Sequence, residues 1–187
     1  MANASSLVNR MAGAAGLEAR LYREIGDDTT ANSQSLIAVI VVALATSIGT
    51  GIAGLTVIGV LGLYWGIVAG LAYTLAGWLA WTHITYLLCT KVLKVPNTSA
   101  TWGELVRTMA FAHSLLVIRI LAPIPFVGGP LTLFAFVWAL VASVIGLGQV
   151  FDISTGRAAA VSVVGWLVYL AIYLAVYLLV WDIKGFF

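Results

Sequence analysis

Four polar side chains stand out inside the apolar runs of this sequence: His83, Arg107, His113 and Arg119. Polar groups of this kind are costly in a hydrocarbon environment, so each is a functional candidate by default. His83 stands eight residues before Lys91, about 12 Å along a helix. His113 stands nine residues after Glu104, roughly 13–14 Å along its own helix. Two imidazoles at similar depth on consecutive antiparallel helices could ligate a haem or a chlorophyll-type pigment. The plainer reading is two imidazoles hydrogen-bonded to neighbouring helices. Arg107 lies one turn from Glu104 and can pair with it. Arg119, near the far end of its segment, can snorkel to the surface.

No enzyme motif accompanies these residues. HExxH, CxxC, GxSxG and the Walker loop are absent. No pair of carboxylates falls within an apolar segment, so acid–base hydrolysis lacks its players. A lone cysteine, Cys89, cannot form an intramolecular disulfide.

Two four-residue series offer surfaces rather than chemistry. Gly62, Gly66 and Gly70 repeat at a spacing that lets helix backbones approach closely. Gly165, Tyr169, Tyr173, Tyr177 and Trp181 run along one face of the last helix. That face packs and anchors, or docks a second subunit or a flat cofactor.

The elements that must position these residues follow from composition. Of 187 residues, 62% are apolar and 9% charged, far from the balance of a soluble domain. The chain reads as all-α, a polytopic membrane helical bundle of about five transmembrane helices with an N-terminal amphipathic helix. A net charge of +2 without a basic stripe argues against nucleic-acid partners. The expected partners are the lipid bilayer and other membrane proteins, as homo- or hetero-oligomer.

Seven of the sixteen charged residues fall in the first 28 positions. There, residues 5–26 place Leu7, Met11, Ala14, Leu21 and Ile25 at helical spacing, giving an amphipathic helix at the membrane surface or packed on the bundle. Residues 1–34 read as a cytoplasmic segment and 35–187 as the transmembrane domain. Spans are expected at 35–55, 64–93, 102–121, 130–150 and 157–182, each near the 20 residues a crossing needs or longer. Residues 56–63 fit a turn, a lead-in helix or a helical extension. Thr101 and Glu104 form a capping box at the head of the third span. Pro123 and Pro125 end that span.

With five spans, seven Lys/Arg lie toward one side and two, Arg119 and Lys184, toward the other. The positive-inside rule then puts the N-terminus in the cytoplasm and the C-terminus across the membrane. A bacterial inner membrane is the expected location.

The order of features resembles the Yip1 family in its prokaryotic form. The polar connector and first span (IGDDTTANSQSLIAVIVVAL), the capped helix (TWGELVRTMAFAHSLL) and the turn before the last span (IGLGQVFDISTGRAAAV) carry the resemblance, over about residues 20–182. It implies a five-span protein without agreed catalytic residues. Eukaryotic relatives reside in Golgi and endoplasmic reticulum membranes, bind one another and Rab-type GTPases, and influence vesicle traffic and membrane shape. The family's glycine–aromatic–proline pattern in helix three maps near Ala110, Phe111 and Leu115. Here the glycine has become Ala110 and the proline position reads Leu115, a departure from the partner-binding pattern. The eukaryotic motif ahead of the first span is not recognisable.

Three functions follow from these readings. The first is a non-catalytic membrane scaffold or accessory subunit working by helix–helix contact. The second is a small solute pore or permease, with Gly49, Gly51, Gly54 and residues 123–130 breaking helices around a path. The third is a haem- or chlorophyll-ligating subunit of a respiratory or photosynthetic complex.

Overall fold

The computed structural model describes residues 6–93 and 100–184, with side chains except at 169 and 172–184. It is 88% helical, and the described residues form no strand. Among the described residues seven α-helices follow one another: α1 (Leu7–Ala15), α2 (Ala19–Asp27), α3 (Asn32–Ile58), α4 (Val60–Leu87), α5 (Trp102–Ala112), α6 (Gly128–Phe151) and α7 (Thr155–Lys184). Short 3₁₀ turns precede α3 and follow α5, and a π turn, Leu88–Val92, extends α4.

The amphipathic N-terminal segment is two helices, not one. α1 stops at Ala15, and Leu17 takes a left-handed conformation with φ 62°. The carbonyls exposed at this stop are taken by side chains. The Tyr22 hydroxyl donates to Ala14 O at 2.6 Å and the Trp138 indole to Ala15 O at 2.7 Å. The apolar face of the pair is buried: Ala14, Tyr22 and Ile25 pack against Ala38, Phe111 and Ala142. That buried face covers the bundle. Burial in this apolar contact pushes the Tyr22 phenol well above its ordinary range.

A polar clasp closes the segment onto α3. Asp28 accepts from the Thr30 amide and hydroxyl, at 2.9 and 2.5 Å, and from buried Arg10 at 2.7 Å. The Thr30 hydroxyl first, then the Arg10 guanidinium, hold the Asp28 carboxyl down at about 2. Arg10 also reaches Gln34 on α3 at 3.1 Å.

α3 is the central helix and α4 the peripheral one. Half of the most apolar stretch of α3 is buried, against 11% for α4. The two form a tight hairpin through Gly59, whose φ of 67° and ψ of −148° only glycine adopts readily. Residues 56–63 are therefore the last turn of α3, a one-residue bend and the first turn of α4. The second apolar helix starts at Val60, four residues earlier than expected.

Gly62, Gly66 and Gly70 all face α3. A Cβ on Gly66 would sit 2.5 Å from Thr50 O, and one on Gly70 would sit 2.7 Å from Ser47 Cα. The Thr50 hydroxyl crosses this contact to reach Gly66 O at 2.7 Å. Gly51 and Gly54 answer from the α3 side, and Gly49 lies against the Arg119 backbone. α3 runs unbroken through all three of these glycines, so they serve close packing and break no helix around a path.

The third segment departs most from expectation. α5 opens with the capping box: Glu104 N donates to Thr101 Oγ1 at 3.3 Å and Thr101 N to Glu104 Oε2 at 3.1 Å. It then stops at Ala112. His113 Nδ1 donates to Met109 O at 2.7 Å, taking with its side chain the carbonyl that an α-helical amide would use. Residues Ser114–Leu121 follow as a 3₁₀ run, eight residues long where three or four are usual. The expected uniform helix over 102–121 is thus two pieces, each about 16 Å long.

After the turn at Pro123 and Pro125, α6 returns along α5. Its small residues Ala135, Ala139, Ala142 and Ser143 are buried in the bundle. α7 begins after a left-handed Asp152. Among the described residues, three helices are long and apolar enough to cross a membrane: those built on α3, α4 and α6. α7, at 30 residues, has sufficient length.

Candidate functional site: a polar cleft inside the bundle

The break in the third segment creates a cleft. By ending the α-helix, His113 turns the 3₁₀ run across α3 and α6 and leaves a cavity of about 50 Å³. Its floor is apolar: Val39 and Val42 of α3, and Leu116. Aromatic rings wall it: Tyr73, Trp78 and Trp81 of α4, Phe136 of α6 and Trp166 of α7. Polar groups also stand in these walls, among them Thr74, Trp78, His113 and Arg119.

His113 is only 7% exposed and is held at two points. Its Nδ1–H is spent on Met109 O, and the Trp81 ring meets it edge-on at 5.0 Å. The neutral ring therefore presents Nε2 as an acceptor. Nε2 has no hydrogen-bond partner among the described residues. The Trp78 indole N–H and the Thr74 hydroxyl are buried and also without a partner. Unpaired buried polar atoms are rare and costly, so two beside one cavity call for a physical reason.

Arg119 is half-buried. Its guanidinium lies 4.9 Å from the centre of the Phe136 ring and lines the cleft. Arg107 is buried at the other end of α5, and Glu104 is not its partner. It donates to Ile25 O and Gly26 O and, at 3.0 Å, to Asn32 Oδ1. Glu104 is occupied with its cap. Arg107 therefore acts as a rivet joining α5 to the end of α2 and the start of α3.

The two histidines are not brought together. His83 is exposed and meets the Trp102 ring edge-on at 5.4 Å, whereas His113 points into the cleft. A bis-imidazole sandwich needs both rings facing one space. The rotation of α4 turns His83 away from it, which removes the geometric basis of the paired-ligand expectation. The described residues hold no cluster of His, Cys, Asp or Glu suited to a metal ion.

Gly165 packs its bare face on α4, where an added Cβ would lie 3.2 Å from Thr85 Oγ1 and 3.3 Å from the Trp81 ring. The side chains of Tyr169, Tyr173, Tyr177 and Trp181 lie outside the described residues.

A model of the Yip1 domain matches residues 19–178, from the start of α2 to near the end of α7. The chain belongs to the Yip1 family. No curated protein and no solved structure matches it. The Yip1 assignment makes it a membrane protein of a non-enzymatic family, in keeping with its apolar helices. Within this Yip1 domain, Ala110 and Phe111 are both buried in the core of the bundle.

Sequence reasoning missed Trp78 and Trp166, and read Thr74 only as continuing the face of Gly62, Gly66 and Gly70. A signal existed for Trp78. Thr74, Trp78 and Trp81 recur at four and three residues, a polar-aromatic stripe on one face of α4. It was masked by the density of aromatic residues around it.

Proposed function

We propose that this Yip1-domain protein is a non-catalytic integral membrane scaffold that acts through helix–helix contacts, as an accessory subunit of a larger membrane complex. It resides in a bacterial inner membrane with its N-terminus in the cytoplasm and its C-terminus on the opposite side. Residues 35–187 form its membrane domain, and the N-terminal helices cap that domain on the cytoplasmic side.

The observation that carries this reading is the division of labour on α4. Its glycine face is used up on α3. Its opposite face is apolar and bare, with Leu61, Trp65, Val68 and Leu79 all exposed. With exposed Ala72 and Ala76 between Val68 and Leu79, these residues recur every three to four positions and make one continuous stripe, the form a helix-in-membrane partner takes. No reactive group lies on that stripe.

The test is native mass in a lipid nanodisc extracted directly from the host membrane, with and without Leu79→Arg. A stoichiometric assembly that the variant dissolves supports the scaffold. A monomer in the unaltered protein refutes it. Labelling a cysteine placed at Asn9 with an impermeant maleimide, in whole cells and in inverted vesicles, tests the orientation. Modification in whole cells would reverse it.

A further inference from the structure

We infer that the bilayer holds this protein off centre. Its cytoplasmic boundary runs through Ala38, Leu79 and Ala142, and its far boundary through the turns at Gly59 and Pro123–Pro125. Both turns are seated in lipid, and α5 stands with α1 and α2 in a water-facing cytoplasmic layer. Only the name of the cytoplasmic side rests on the orientation proposed above.

Charges mark the near boundary. α1 and α2 form a hairpin whose turn packs well down the bundle. Ala14 lies in one apolar cluster with Ala38 and Ala142, and the Ala15 carbonyl accepts from Trp138. Ala142 is nine residues from the end of α6 at Phe151, about 13 Å inward. Glu18 and Arg20, at the hairpin turn, are exposed. An exposed carboxylate at such a depth in hydrocarbon is costly, so lipid begins farther in. Phe111 and Ala112, at the end of α5, belong to the same cluster, which leaves the rest of α5 on the water side. Leu36 and Ile37, exposed within one turn of Ala38, fall in the headgroup layer.

Helix register carries this boundary to α4. Gly54 faces Gly62, Thr50 faces Gly66 and Ser47 faces Gly70, so Ala38 is level with Leu79. Leu79 is exposed, and the next exposed side chain along α4 is His83. His83 therefore stands one turn outside the lipid, not about 12 Å within it.

The distances close the slab. Twenty residues separate Ala38 from Ile58, about 30 Å, and nineteen separate Leu79 from Val60, about 28 Å. A hydrocarbon core is about 30 Å thick. No Asp, Glu, Lys or Arg occurs from Thr29 to Thr90 or from Ile120 to Phe151, so neither far turn carries a charge. Val57, Val60 and Phe126 at these turns are 78%, 76% and 97% exposed. Water would meet apolar groups there, and lipid does so at no cost. The proline turn is also poor in free donors. Ala122 N donates to Arg119 O, Ile124 N to Leu121 O and Gly128 N to Ile124 O, and the two prolines have no N–H. Tyr64 and Trp65, exposed about one turn inward of Val60, form the aromatic pair that a lipid boundary favours.

Single cysteines in a Cys89→Ser background test this placement in the full chain. Arg20→Cys and His83→Cys report on the water layer, Val60→Cys and Phe126→Cys on the turns. An impermeant maleimide is added to whole cells and to inverted vesicles, since a thiol in lipid does not ionise and does not react. Positions 20 and 83 are expected to label from the cytoplasmic side about tenfold faster than 60 and 126 from either side. Bimane on the purified Phe126→Cys variant is expected to be quenched in vesicles of dibromo-phosphatidylcholine. A reversed orientation exchanges the two preparations without changing which positions label. Labelling at 60 and 126 as fast as at 20 would put the turns in water and overturn the placement. A silent His83→Cys beside a reactive Arg20→Cys would move the boundary out toward Lys91 and overturn it as well. Protection of 126 in host membranes with labelling in vesicles of purified protein would assign the cover to a partner protein and overturn the lipid. Two positions on each side keep the result readable if one variant fails to fold.

Discussion

Replacing Arg107 by methionine discriminates between two accounts of the α5 end. Arg107 is 6% exposed and its guanidinium contacts three acceptors: Ile25 O, Gly26 O and Asn32 Oδ1. Methionine keeps much of the stem volume and leaves these acceptors without their donor. An unsatisfied buried acceptor costs about 1–3 kcal/mol. Two carbonyls and an amide oxygen, partly relieved by water entering near Asn32, bring the loss to about 3–5 kcal/mol. For a chain of this size that is a fall in Tm of about 10 °C. Lysine restores a charge but not the planar fork, and recovers less than half of the loss. Glu104→Ala removes only a helix cap, about 0.5–1 kcal/mol. The assay is tryptophan-fluorescence melting in one detergent at pH 7 for all three variants. If Glu104→Ala and Arg107→Met fall equally, the two form a pair after all and the rivet is refuted. A fall below 2 °C for methionine refutes it as well.

Gly66→Leu should separate the α3–α4 hairpin, because even a Cβ there meets Thr50 O at 2.5 Å, whereas Gly129→Ala, with nothing within 4 Å, should melt like the unaltered protein. Thermal melting of both variants in one detergent reads the loss, and an unchanged Tm for Gly66→Leu counts against the contact. Gly59→Ala places a side chain at φ 67° and ψ −148° and should destabilise by about 1–3 kcal/mol in the same melting assay, with a neutral result showing that the bend is not strained for alanine. The Asp28 carboxyl is held below its unfolded value of 3.8, so its clasp with Thr30 and Arg10 is fully present above about pH 4 and fades as pH falls toward 2. Asp28→Asn should flatten this acid-side slope, measured as cleavage at Leu21 or Tyr22 between pH 5 and 2 with an acid-active protease. Identical slopes would place the acid sensitivity elsewhere.

Much of the architecture was legible before any coordinate. Twenty-odd apolar residues in a row can satisfy their backbone in a bilayer only as helix, so the all-α class follows from composition. The capping box at Thr101 and Glu104 is a purely local exchange of hydrogen bonds, and local sequence determines it. The glycine spacing declared a close helix contact because bare backbones four residues apart share one face.

What periodicity cannot supply is the rotation of one helix against another. It groups His83 with its own helix face but does not say that the face turns toward Trp102 while His113 turns inward. Nor does it choose among partners within reach. Glu104 is the nearest carboxylate to Arg107 in sequence, yet the carbonyls at the end of α2 arrive closer in space. The 3₁₀ break has the same origin. Residues 102–121 contain no proline and read as continuous helix, until the His113 ring takes the carbonyl of Met109 and the tertiary packing of α3 and α6 receives the redirected chain. The sequence by itself determined which segments are helices and which residues share a face. The tertiary structure alone decided which faces meet, because that choice is made by competition among side chains and carbonyls distant in the chain.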